Sequence, residues 1–78
     1  GRPAPAAQAR FEALRQWRNA KAQERGVEPD IVLNNQALWS IAILNPHSRQ
    51  ELTGDGLLAR WQVDEYGDEL LAVVARAH

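Results

Sequence analysis

Val63-Asp64-Glu65-Tyr66-Gly67-Asp68-Glu69-Leu70-Leu71-Ala72-Val73-Val74-Ala75-Arg76-Ala77 is the stretch that decides the fold. At 100° per residue, Val63, Tyr66, Gly67, Leu70, Val73, Val74 and Ala77 gather on one side. Asp64, Glu65, Asp68, Glu69 and Arg76 fall on the other. A helix with so wide an apolar stripe must bury it against other elements. Asp64 and Glu65 read as first-turn residues, where negative charge suits the helix dipole. Gly67 costs roughly 1 kcal/mol relative to alanine within a helix, so on the buried face it predicts a close approach by another helix.

Upstream, the same period continues. From about Ala6 to Arg25, Phe11, Leu14 and Trp17 recur at three-residue steps, and Gly26 ends the helix beside Arg25. Val27–Leu33 reads as a loop crossing the domain, with Ile31 and Leu33 or Val32 entering the core. Asn34-Asn35 caps a nearly all-apolar helix from Gln36 to Asn45, which Pro46 stops. Ser48 and Glu51 have capping-box spacing and open a short helix that Gly54-Asp55-Gly56 ends. Leu57–Trp61 reads as one more short helix. No second convincing strand accompanies Val27–Leu33, so the expected fold is all-α, a compact orthogonal bundle of about five helices. Residues 1–7, with Pro3 and Pro5, read as a linker remnant and residues 8–78 as the domain. Gly1 in place of a start methionine suggests an excised piece.

Seventy-eight residues sit near the lower limit for a core held by packing alone. There is no cysteine, hence no disulfide or thiolate metal site, and the histidines are His47 and the terminal His78. The expected cofactor and metal content is none. Ser40, Ser48 and Thr53 lack a base partner: His47 follows a helix-stopping proline and reads as a surface turn. The pairs Asp64/Asp68 and Glu65/Glu69 have no third ligand and read as a solvated face. Gly54-Asp55-Gly56 lacks the Lys and Ser/Thr of a phosphate loop. No catalytic residue is therefore assigned. No uninterrupted apolar run is long enough to cross a bilayer, so no membrane partner is expected.

The formal net charge of −1 conceals a split, with +4 over residues 1–26 and −5 over residues 27–78. Arg15, Arg18, Lys21 and Arg25 form a helical stripe that either contacts successive phosphates or pairs with the acidic second half. Lys21 also continues the Phe11–Leu14–Trp17 row, where its stem can lie over apolar surface. The three tryptophans are Trp17, Trp39 and Trp61, with most of their area expected in the core. Trp61 is the best candidate for an exposed stacking platform, with Arg60 beside it.

Leu14-x-x-Trp17-Arg18, Arg25-Gly26-Val27, Pro29, Leu38, Ile41-Ala42, Asn45-Pro46, Glu51-Leu52, Tyr66-Gly67 and Leu70-Leu71 together resemble the HRDC domain shared by RecQ helicases and ribonuclease D enzymes. The likeness spans residues 10–76. It implies a noncatalytic helical module that helps a larger enzyme bind or position nucleic acid. Two departures stand out. Asp30 occupies a position where nucleic-acid-binding members resemble one another in carrying an aromatic ring. Ala59 and Gln62 occupy those of a glycine and a basic residue in the turn before the last helix.

On this reading the parent is an ATP-dependent RecQ-type DNA helicase of repair and recombination in the bacterial cytoplasm and nucleoid. A ribonuclease D-type exonuclease is the alternative. The expected partner is single-stranded or partly duplex DNA, contacted weakly by a monomeric domain through Arg15, Arg18, Lys21, Arg25, Arg60 and Trp61. Alternatively, Asp64, Glu65, Asp68 and Glu69 contact the helicase core or another protein.

Overall fold

The computed structural model describes residues 4–54 and 56–77. Their elements are five helices: α1 (Pro5–Arg25), α2 (Pro29–Val32), α3 (Asn35–Leu44), α4 (Arg49–Thr53) and α5 (Arg60–Arg76). The chain is an all-α bundle in which α1 packs on α2, α3 and α5, and α4 packs on α5. Asp55 of the expected Gly54-Asp55-Gly56 stop, His78 and the first three linker residues lie outside the described residues. Pro5 occupies the first position of α1, where its fixed φ suits a helix and its missing N–H costs nothing. The helix therefore includes Pro5–Ala7 of the stretch read as linker, and Ala7 is buried.

Helix ends follow local chemistry. Gly26 closes α1 in the left-handed region at φ 69°, its N–H reaching the carbonyls of Ala22 and Gln23. Asn34 Oδ1 accepts from the Ala37 N–H at 2.8 Å and starts α3; Asn45, at φ 51°, ends it. Ser48 Oγ accepts from the Glu51 N–H at 3.3 Å, as its spacing predicts. Glu51 departs from the expected box, since its carboxylate accepts from the His47 N–H instead of from Ser48. His47 is exposed in that turn.

Two stretches differ from expectation. Pro29–Val32 is a turn of helix and not a loop. Pro29 presets its φ, Asp30 faces the positive end, and Leu33 leaves it extended. One turn is too short to show a helical period. Val32 and Leu33 enter the core, whereas Ile31 is 54% exposed. Conversely, Leu57–Ala59 is not helical, and Arg60 and Trp61 form the first turn of α5. Asp64 and Glu65 consequently lie one turn further in than expected.

The core is aliphatic. Leu14, Val32, Leu33, Leu38, Ile41, Leu52 and Leu70 are fully buried around Tyr66. The tryptophans rim this core and do not fill it: Trp17 and Trp39 pack partly buried against it, and Trp61 is 49% exposed. Phe11 and Trp39 stack face to face at 3.9 Å, fastening α1 to α3. At Gly67 the approaching group is a side chain, not a helix backbone: a Cβ there would meet Arg49 Cγ and Nε at 3.6 Å.

Candidate nucleic-acid interface

On α1, Leu14, Arg18 and Ala22 stand four residues apart and make one buried row. Arg18 is therefore inside, at 6% exposure. Its Nη1 donates to the Leu33 carbonyl at 3.1 Å and to Asn35 Oδ1 at 2.7 Å, and its Nε to Asn19 Oδ1 at 3.2 Å. This corrects the expected four-residue stripe. Through Nη1, Arg18 holds the α2–α3 junction against α1, and its burial takes it out of the surface stripe.

The other three cations remain nearer the surface, each with an internal partner. Arg15 pairs with Glu12 one turn back, which holds the Glu12 carboxyl below its usual range. Lys21 Nζ lies 3.1 Å from Glu69 and 3.7 Å from Glu24, with its charge 5.9 Å from the Trp17 ring. The Glu69 carboxylate holds its ammonium above the ordinary value. Arg25 donates from Nη1 to the Tyr66 hydroxyl, and its guanidinium sits 5.9 Å from that ring. Of the two readings of the basic stripe, pairing with the acidic second half thus accounts for Lys21, while Arg15 pairs within the basic part itself.

A row of aromatic rings crosses the seam between α1 and α5. Trp61 meets Tyr66 edge-on at 6.1 Å, and Tyr66 meets Trp17 edge-on at 5.3 Å. Trp17 Nε1 donates to Glu69 Oε1 at 3.3 Å, so the Trp17 end of the row is closed by a carboxylate and Lys21. The Trp61 end is open. There Arg60 extends into solvent with its side chain 92% exposed, touching Asp64 only at 3.9 Å. Arg25 lies against Tyr66 beside it. Sequence reading missed Tyr66 as the pivot of this row, because its place on the apolar stripe signals only burial.

Gln62, at the position of the expected basic residue, is structural. Its Oε1 accepts from the Ala59 N–H at 2.8 Å and caps α5, and its Nε2 donates to the Val32 carbonyl at 3.1 Å. Asp30 is exposed on α2. The acidic face of α5 is mostly paired within the domain. Asp68 takes Arg49 Nε at 2.9 Å, Glu69 takes Lys21, and Asp64 faces Arg60. Among the described residues Glu65 is the member of the four with no such pair. No group of three or more potential metal ligands occurs among the described residues, and no described helix is long and apolar enough to cross a membrane.

Fold and face together define a small helical module of five helices with an aromatic and cationic edge. The chain belongs to the HRDC domain family, whose pattern it matches over residues 7–74. HRDC domains are noncatalytic accessory modules of nucleic-acid enzymes. Among curated proteins, it is 37% identical over 67 residues to ribonuclease D of Cronobacter turicensis and 36% identical over 67 residues to ribonuclease D of Escherichia coli K12. Each alignment covers 86% of this chain and 18% of the relative. The chain thus spans under a fifth of the length of the relatives it matches. No solved structure matches it significantly.

Proposed function

We propose that this domain serves a ribonuclease D-type exonuclease by holding single-stranded RNA at the open Trp61 end of the aromatic row. The observation that carries the reading is a half-exposed tryptophan backed by Tyr66, with Arg25 against the Tyr66 ring and the exposed Arg60 next to Trp61 in sequence. An unstacked base can lie on such a ring, and every base offers a face for it. Arg25 and Arg60 then take the adjoining phosphates. The names of the two relatives favour an exonuclease parent over the RecQ-type helicase, and RNA over DNA. A cytoplasmic site of action accompanies that parent.

The alternative of a protein contact through the acidic face loses support from the pairing of Asp68 and Glu69 within the domain. The test is fluorescence anisotropy of a short labelled single-stranded RNA with the wild-type chain and with Trp61→Ala. A loss of about fivefold or more in affinity is expected, since stacking on one ring is worth about 1–3 kcal/mol. Equal affinity of the two proteins would remove Trp61 from the interface.

A further inference from the structure

Between α4 and the start of α5 the surface dips into a cleft of about 560 Å³. Leu58 and Val63 form its apolar floor. Arg49, Gln50 and Thr53 wall one side, and Arg60 and Asp64 the other. The volume lies within the range of about 300–1,000 Å³ common to small-ligand sites.

The charge pattern is wrong for a phosphate seat. Asp64 stands in the wall, and Asp68 lies next to it on Arg49. It suits a flat ring that brings hydrogen-bond donors to one edge and acceptors to another. The contacts leave those groups available. Arg60 and Asp64 are 3.9 Å apart with both side chains largely exposed, a loose pair that a ligand can open. Arg49 bonds through Nε to Asp68 and passes beside Gly67, while no hydrogen bond from its terminal Nη groups is made among the described residues and Asp64 acts on its charge from nearby.

We infer that this cleft takes a guanine base. Guanine presents the adjacent N1–H and N2–H donors that a carboxylate accepts together, and the O6 and N7 acceptors that a guanidinium fork bonds. Adenine and cytosine offer a single amino group beside acceptors, and uracil a single N–H. Asp64 accepts the two donors, Arg49 bonds the opposite edge, and the ring lies over Leu58 and Val63. The assignment rests on the RNA reading above insofar as the guanine belongs to the strand whose neighbouring base lies on Trp61. It also gives a use to a carboxylate that otherwise opposes phosphate binding.

The test follows the methyl signals of Leu58 and Val63 and the Trp61 indole signal by NMR in the 78-residue chain. The probes are guanosine and cytidine monophosphates, an all-uridine tetranucleotide and one containing a single guanine. Guanine-bearing probes are expected to shift Leu58 and Val63. Asp64→Asn should weaken the guanine-containing strand about tenfold relative to the all-uridine strand, while the Trp61 response to uridine stays as it was. If all strands move Trp61 equally and none moves Leu58 or Val63, the cleft assignment falls and the RNA reading stands. If guanosine monophosphate moves Leu58 and Val63 but no strand moves Trp61, the RNA reading falls and the cleft is a free-nucleotide site. If nothing moves, both fall.

Discussion

Arg18 joins three segments through one guanidinium, so its replacement separates a structural role from a binding one. With Arg18→Leu, the buried Leu33 carbonyl loses its donor, and the exposed Asn35 loses its bond to α1. An expected loss of about 1–3 kcal/mol follows from leaving that carbonyl unpaired, read from the urea unfolding midpoint. Arg18→Lys should recover little of it, because an ammonium lacks the planar fork that serves both acceptors. RNA affinity measured on the folded fraction should be unchanged; a loss of affinity at unchanged stability would return Arg18 to the surface role. The Leu14–Arg18–Ala22 spacing carried the correct signal in the sequence, four-residue steps along one face. It was outweighed by the run of basic residues, since Leu33 and Asn35 become neighbours of Arg18 only through α2, a single turn with no readable period.

At the scale of the helices, two glycines should respond in opposite directions. Gly26 ends α1 in a left-handed conformation with open space where a Cβ would be, so Gly26→Ala costs about 1–2 kcal/mol through the backbone alone. Gly67 lies inside α5, and an added Cβ would make ordinary contacts of 3.4–3.6 Å with Val63 and Arg49. Gly67→Ala is therefore expected to stabilise the chain by up to about 1 kcal/mol, in the same unfolding experiment. A large destabilisation would mean that Arg49 cannot yield. The seam between α1 and α5 adds a pH dependence. Glu69 raises Lys21 above the ordinary 10.5, so the folded state holds this proton more tightly than the unfolded chain. The stability gap between wild type and Glu69→Gln should stay constant up to pH 10.5 and shrink as pH rises through the higher folded value. The long helices α1, α3 and α5 were legible from their periods and caps. The α4–α5 connection was not: Leu57–Trp61 carries helix-forming residues, yet Ala59 is extended and held there by Gln62.

Over the whole molecule, one ion pair among the described residues, Lys21 with Glu69, joins the +4 and −5 parts of the chain, and the other pairs lie within one part or the other. Glu69 meets Lys21 across the α1–α5 seam, and Arg49 meets Asp68 between α4 and α5. The cations nearest the open end of the aromatic row are Arg25, against Tyr66, and Arg60, next to Trp61 in sequence. Two phosphate contacts predict a shallow salt response, with log affinity for a single strand falling with log salt at a slope of roughly −1.4. The class of fold, the family and the exposure of Trp61 were readable in the sequence. The row itself was not, because Trp17, Tyr66 and Trp61 come from two helices whose packing brings their edges together. The most direct measurement is the Trp61 indole N–H signal during titration of the chain with a single-stranded RNA. The account predicts a saturable shift of Trp61, accompanied by Arg25 and Arg60, at strand concentrations that leave Phe11 and Trp39 unmoved. Perturbation confined to the Phe11–Trp39 side, with Trp61 silent, would contradict it.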